Sequence, residues 1–249
     1  MSSGNISIIG KPNVGKSTLF NMLIKKHLAG ATSKPQTTRH KIDAVLNEDD
    51  TSYLFVDTPG LNFNIKKDFN KILNRNALSA LIEADVILHV VNYFKIDKDD
   101  IKVIENISAT DLPKILVLNK VDLDNKKKNL PKILSQIPRE ITDVYNEIIP
   151  ISAKNSSNII NLKKLIKSYL PKNNKNIYQD ILSHNSNEFF VAEYIREACI
   201  KHLAVELPYS LHVEINKLDE EKDIISIAST VYLKKKSHLS IVVGKNGSM

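Results

Sequence analysis

The stretch Ile6-Ser7-Ile8-Ile9-Gly10-Lys11-Pro12-Asn13-Val14-Gly15-Lys16-Ser17, running on into Thr18-Leu19-Phe20-Asn21-Met22-Leu23-Ile24, decides the fold. It reads as a strand, a glycine loop and a helix in immediate succession, the setting in which a Gly-x-x-x-x-Gly-Lys-Ser pattern has a mechanism. Such a loop turns successive backbone N–H groups inward around phosphate oxygens, and the helix N-terminus behind it adds partial positive charge. Lys16 then reaches the β- and γ-phosphates, and the Ser17 hydroxyl can bind Mg²⁺. Glycine usage agrees. Of seven glycines, Gly10 and Gly15 lie in this loop, Gly60 in Asp57-Thr58-Pro59-Gly60, and Gly244 and Gly247 in Gly244-Lys245-Asn246-Gly247. Glycine is suited to positive φ and to close approach of backbone to a ligand.

Working outward, short apolar runs alternate with amphipathic segments as far as Leu170. Strands are expected at Ile6–Ile9, Ile42–Leu46, Tyr53–Val56, Val86–Val91, Ile115–Leu118 and Ile148–Ile151. Helices are expected near Ser17–Lys26, Phe69–Ile82, Ile101–Ile107, Leu130–Gln136 and Ile160–Tyr169. Continuous Val/Ile/Leu runs suit strands buried on both faces. The acidic turn Asn47-Glu48-Asp49-Asp50 suggests one hairpin and one antiparallel edge strand. The fold expected for residues 1–171 is therefore a doubly wound α/β domain with a mixed sheet.

A polar linker, 172–187, follows, and 188–249 read as a smaller α+β domain. Its helix is expected at Glu188–Val205, with Val191, Ile195, Cys199 and Leu203 on one face and Pro208 ending it. Two period-two segments, Leu211–Ile215 and Ile225–Leu233, form a hairpin across Asp219–Asp223. Lys234-Lys235-Lys236 and Ile241-Val242-Val243 then lead to the second glycine turn.

Bulk properties narrow the class. The chain has 249 residues, 42% hydrophobic and 25% charged, which is enough for real cores. A formal charge of +7 points to polyanionic partners, meaning nucleic acid or an anionic membrane surface. No stretch approaches the roughly 20 apolar residues of a bilayer span, and the N-terminus has no secretory signal pattern. The one cysteine, Cys199, excludes an internal disulfide and fits a reducing cytosol. Its apolar setting marks it as core rather than nucleophile.

Asn119-Lys120-Val121-Asp122 follows a strand, at the edge where α/β sheets bind ligands. Guanine offers N1–H and an exocyclic amine, two adjacent donors that one carboxylate accepts together, so Asp122 is the specificity residue. Asn119 can bond the base edge and brace the loop, while the Lys120 stem packs over the ring. Ser152-Ala153-Lys154 follows the next strand and would set the Ala153 N–H against the guanine carbonyl oxygen. Asp57 should hold Mg²⁺, directly or through water, and the Gly60 N–H can sense the γ-phosphate. Between Gly30 and His40 lies a polar segment containing Gln36-Thr37-Thr38-Arg39-His40. A threonine there can complete the Mg²⁺ shell and let go when phosphate leaves. Thr38 is the choice and Thr37 the alternative, with Arg39 and His40 as loop residues touching other parts of the switch.

On these motifs, and on Ala204-Val205-Glu206-Leu207-Pro208-Tyr209-Ser210, the chain resembles the Era family of translation-factor-related small GTPases almost end to end. The resemblance implies GTP and GDP binding with Mg²⁺ and hydrolysis through Lys16, Thr38, Asp57, Gly60 and Asn13. Leu61 stands where many GTPases carry a water-orienting glutamine, so K⁺ held near the phosphates by Asn13 is expected to assist. The resemblance further implies a KH-type RNA-binding domain, with Gly244, Lys245, Asn246 and Gly247 as its glycine turn and the nearby lysines attracting phosphate. The chain departs from the pattern by stopping at Met249, before the helix, third strand and further helix with which a KH module continues, so an incomplete domain with weaker RNA binding is expected. Partners implied are 16S rRNA and the 30S subunit, whose assembly it would assist as a monomer, in the cytoplasm with peripheral contact at the inner membrane. Rivals are a tRNA-modification or double-domain ribosomal GTPase, an RNA-binding protein with a structural nucleotide site, and a relic without its RNA partner.

Overall fold

Burial of the Val/Ile/Leu runs on both faces produces a six-stranded sheet with helices around it. The computed structural model describes residues 1–32, 34, 37–63, 68–124, 130–172, 181–202, 211–222 and 224–244. By contacts these divide into two compact units, Met1–Ala29 with Thr38–His184, and Gly30–Thr37 with Asn185–Met249.

The first unit contains, in chain order, β1 (Ser2–Ile9), α1 (Lys16–Ile24), β2 (Ile42–Glu48), β3 (Thr51–Asp57), α2 (Asp68–Ser79) and β4 (Val86–Asn92). It continues with α3 (Lys98–Ser108), β5 (Lys114–Asn119), α4 (Leu130–Gln136), α5 (Arg139–Thr142), β6 (Glu147–Pro150) and α6 (Ile159–Tyr169). Strand order is β2-β3-β1-β4-β5-β6. Only β2 runs antiparallel, paired to β3 through the acidic turn; every other pairing is parallel. In that order the chain builds β3 and β2 to one side of β1 and β4, β5 and β6 to the other, so the loop after β1 sits at the switch point where such sheets bind ligands. Ile6, Ile8 and Ile9 of β1 and Val90 and Val91 of β4 are wholly buried, which fixes that loop's base.

The first unit extends beyond residue 171. Leu182 accepts the Val45 N–H at 2.7 Å on the open edge of β2, and Asp43 binds Ser183 and His184. Part of the expected linker thus belongs to the sheet edge; 173–180 lie outside the described residues.

The second unit has α7 (Asn187–His202), β7 (Leu211–Glu221), β8 (Ile224–Leu233) and α8 (Leu239–Val243). β7 and β8 form the expected antiparallel hairpin, with a bulge between Ile215 and Lys217. Ile200, Leu211 and Val213 form its core, with Ile195, Cys199 and Val231 against them, so Cys199 packs as a small apolar residue. The inward face of α7 differs from expectation. Phe190, Glu193, Arg196, Glu197 and Ile200 are buried, whereas Val191, Ile195 and Cys199 are half-buried. Three charged residues are buried there because Arg196 and Glu193 neutralise each other and Glu197 pairs with Lys201 at 3.0 Å, something an apolar stripe does not reveal. Leu203 and Ala204–Ser210 lie outside the described residues. No helix among the described residues is long and apolar enough to cross a membrane.

Candidate functional site

Three positive-φ residues shape the loop after β1: Gly10 (146°), Asn13 (62°) and Gly15 (98°). A Cβ on Gly10 would stand 2.3 Å from the Val90 carbonyl oxygen, and one on Gly15 would stand 2.3 Å from Asn119 Nδ2. Neither position admits another residue. α1 starts at Gly15 without a side-chain cap, which suits its first N–H groups to an anion.

Lys16 is buried, and its Nζ donates to the Lys11 carbonyl at 2.9 Å. Burial pulls its ammonium down to about 8, against the nearby Asp57 charge. Asp57 Oδ2 accepts the Ser17 hydroxyl at 2.7 Å and the Thr38 hydroxyl at 3.3 Å, and these two hydroxyls are 2.9 Å apart. Burial pushes the Asp57 carboxyl up to about 6, opposed by Lys16 and then by the two hydroxyls. Asp57 Oδ1 is buried without a partner. Two hydroxyls and a carboxylate are the hard oxygen donors Mg²⁺ takes, and the bare oxygen is one a cation would satisfy. Lys16 and Asp57 are each costly as buried charges, and an anionic phosphate with its cation would settle both. The residues present fit Mg²⁺. Thr37 is turned elsewhere, its hydroxyl donating to Lys34 O at 2.8 Å and lying 2.6 Å from Thr32 Oγ1.

The Asp57–Leu61 segment is laid directly on the phosphate loop. A Cβ on Gly60 would stand 2.6 Å from Pro12 N, and Leu61 N–H donates to Gly10 O at 3.1 Å. Two residues of this segment turn their side chains into the fold. Thr58 spends its hydroxyl on Ile8 O at 2.8 Å. The Leu61 side chain is wholly buried in the core with Ile9, Val91 and Tyr93, and Pro59 beside it is buried too.

Beside the loop is a cavity of about 270 Å³ lined by Gly15, Thr18, Asn119, Lys120, Asp122, Leu123, Ala153 and Lys154. Ser152 Oγ donates to Asp122 Oδ1 at 2.6 Å. Lys120, at φ 75°, donates Nζ to Asn13 O at 2.6 Å, which lays its stem along the cavity's rim. Asn119 braces the loop: Nδ2 donates to Val14 O at 2.8 Å, and Oδ1 accepts the N–H groups of Lys120 and Ala153. The Ala153 N–H, expected on the guanine oxygen, is thus bonded to Asn119 at 3.0 Å. Val121 donates its N–H to Ile151 O at 3.2 Å and packs its side chain against the core. Thr18 and Leu123 were not expected in the pocket. Leu123, at 60% exposure, is a large apolar residue left in solvent beside Asp122, and its place straight after the Asn-Lys-x-Asp run was the available signal.

In the second unit Gly244 caps α8 at φ 73°, its N–H donating to Ser240 O. Lys245, Asn246 and Gly247 lie outside the described residues.

The "50S ribosome-binding GTPase" family model matches residues 5–120. GTPase Era of Alkaliphilus oremlandii is 40% identical over 98% of this chain and 83% of its own length. That of Clostridioides difficile is 36% identical over 98% of this chain and 82% of its own length. A crystal structure of Era with MgGDPNP and nucleotides 1506–1542 of 16S ribosomal RNA superposes with a TM-score of 0.93 at 30% identity, covering 99% of this chain and 84% of that one. A variant of Aquifex aeolicus Era bound to GDP and aluminium fluoride gives 0.94 at 30% identity, covering 100% and 84%. A phosphate loop built on glycine, a serine–threonine–aspartate cluster beneath a buried lysine and relatives matched along nearly all of this chain and over four fifths of their own length agree: the chain belongs to the GTPase Era family.

Proposed function

We propose that the protein binds GTP and GDP with Mg²⁺, hydrolyses GTP, and couples this to binding of 16S rRNA during assembly of the 30S subunit. The observation that carries the reading is the meeting of Ser17, Thr38 and Asp57 at one carboxylate below Lys16. Ser17, Thr38 and Asp57 hold Mg²⁺, which neutralises phosphate charge when bound. Lys16 and the loop amides of Gly10–Ser17 bind the phosphates, and the Gly60 N–H reports the γ-phosphate. Asp122, held by Ser152, accepts the two guanine donors. Asn119 keeps the phosphate loop and the base pocket in register. A relic is not favoured, since loop, cation cluster and base pocket are all intact.

The RNA part rests on a crystallised relative that carries a 16S rRNA segment and on the +7 charge of this chain. We assign residues 188–249 to a KH-type domain whose glycine turn is Gly244–Gly247, preceded by the unit α7–hairpin–α8. Asn13 is assigned to K⁺. The same net positive charge suits peripheral contact with an anionic membrane, the protein being monomeric and cytoplasmic otherwise.

The test uses labelled GTP with wild type and Lys16→Ala, alongside co-sedimentation with 30S particles. Mg²⁺-dependent turnover lost in the variant, and sedimentation that follows GTP, are expected. ATP competing as well as GTP, or turnover surviving Lys16→Ala, would refute the reading.

A further inference from the structure

On the nucleotide-binding reading of the loop, we infer that Asp100, at the start of α3, is a positioning residue that acts on the phosphates' binding loop through Lys11.

Lys11 is the first variable residue of the Gly10–Ser17 loop, and a cation there is naturally read as attraction for phosphate. Its ammonium is instead bound 2.6 Å from Asp97 Oδ1 and 2.8 Å from Asp100 Oδ2. Asp100 is wholly buried. The same Asp100 Oδ2 accepts the Asp97 N–H at 2.9 Å, and Asp97 Oδ1 accepts the N–H groups of Asp99 and Asp100. This is a complete capping box. Capping requires no lysine: two carboxylates already satisfy the helix start. Bringing Lys11 into it buries charge, and a buried pair of this kind is weak as a source of net stability. What the pair supplies is a fixed position.

That position matters because Lys11 is held at both ends. While its side chain is tied to α3, its carbonyl accepts Lys16 Nζ at 2.9 Å. The next residue, Pro12, lies against Gly60, and Asn13 follows at φ 62° with its carbonyl on Lys120. The front half of the loop is thus clamped from α3, from the Asp57–Gly60 segment and from the base pocket. Removing the α3 tie leaves Lys11–Asn13 to be ordered when nucleotide arrives, and ordering at binding lowers affinity. The chemical step, which depends on Lys16, Asp57 and Thr38, keeps its groups.

The test measures GDP affinity by calorimetry and single-turnover GTP hydrolysis at saturating protein, on the full chain. Asp100→Asn keeps an oxygen for the Asp97 N–H but removes the charge that holds Lys11. It is expected to weaken GDP binding about tenfold while the hydrolysis rate of bound GTP stays within about twofold. Lys11→Met is expected to match it, and the double variant to be no weaker than the weaker single one. A cap that mattered only for α3 would lower the melting temperature without this coupling. Unchanged or tighter GDP binding in the folded variants, or losses that multiply in the double variant, would overturn the inference. If Asp100→Asn does not fold, the same cycle with Asp97→Asn and Lys11→Met decides it. Wild type failing to bind GDP at all would instead overturn the nucleotide reading, and this inference with it.

Discussion

The Ser152 hydroxyl donates to Oδ1 of Asp122 at 2.6 Å, so the carboxylate that faces the base pocket is oriented before a base arrives. Ser152→Ala leaves that oxygen without its protein donor and the side chain free to rotate. One such hydrogen bond contributes about 1 kcal/mol, a loss of roughly fivefold in GDP affinity. Calorimetry with GDP reads this directly. Asp122→Ala is expected to cost far more and to let ADP compete, and equal affinities in the two variants would show Ser152 and Asp122 wrongly assigned.

Gly60 is required by geometry, because a Cβ there would stand 2.6 Å from Pro12 N and 2.7 Å from Pro12 Cα. Both obstacles are backbone or ring and cannot swing aside. Gly60→Ala therefore separates the Asp57–Leu61 segment from the phosphate loop. Hydrolysis is expected to fall by about tenfold or more, while GDP, which has no γ-phosphate to be sensed, still binds within a few-fold. Single-turnover kinetics and a GDP titration on the same preparation check both halves.

The sheet was legible because its strands are continuous apolar runs, and the loop because glycine is scarce in this chain and concentrated where backbone must turn. Thr38 could be chosen over Thr37 from sequence, but only the fold shows why: Thr37 bonds Thr32 and Lys34. α5, Arg139–Thr142, escaped notice because four residues carry no periodicity. The bonds from Asn119 to Val14, Lys120 and Ala153 were not legible, because a motif names residue types and not which donor meets which acceptor. The attachment of 181–184 to β2 rests on one backbone bond, Val45 N–H to Leu182 O, and on the Asp43 carboxylate binding Ser183 and His184, neither of which apolar periodicity encodes. Lys11 looked like a phosphate contact because Asp97 and Asp100 lie far from it in sequence.

Leu61 is wholly buried in the core, so its side chain cannot orient the attacking water. On the proposed reading, K⁺ held by Asn13 would supply charge at the phosphates instead. K⁺ in place of Na⁺ is expected to raise the single-turnover rate at least about fivefold, and Asn13→Ala to erase the difference. Equal rates for wild type in the two salts would exclude this role.

Arg196 and Glu193 form a buried pair on α7, with side-chain exposures of 4% and 7%. The Arg196 guanidinium also donates to the Thr37 carbonyl. Arg196→Met strands the Glu193 carboxylate in a buried site, a loss of roughly 3–5 kcal/mol. Glu193→Leu combined with Arg196→Met removes both charges and is expected to recover most of it. Urea unfolding followed by α7's helical signal compares the three proteins. A double variant as unstable as the single one would mean that packing, and not the stranded charge, sets the loss.

His89 is a second buried polar residue, on β4, with Nδ1 2.6 Å from the Tyr145 hydroxyl and Nε2 without a partner. Burial, helped by the charges of Lys16 and Lys11, drives its imidazole from the ordinary 6.5 down to about 3. The folded protein therefore keeps His89 neutral across a range in which the unfolded chain takes up a proton. Stability from this group is complete above about pH 6.5 and is lost as pH falls, because protons favour the unfolded state. Between pH 7.5 and 5.5 the loss attributable to His89 is about 1.4 kcal/mol. Urea unfolding at the two pH values measures it, with His89→Gln as the non-titrating partner that can still bond Tyr145. The wild type is expected to weaken more than the variant by that amount, and identical losses in both would place the acid sensitivity on other groups.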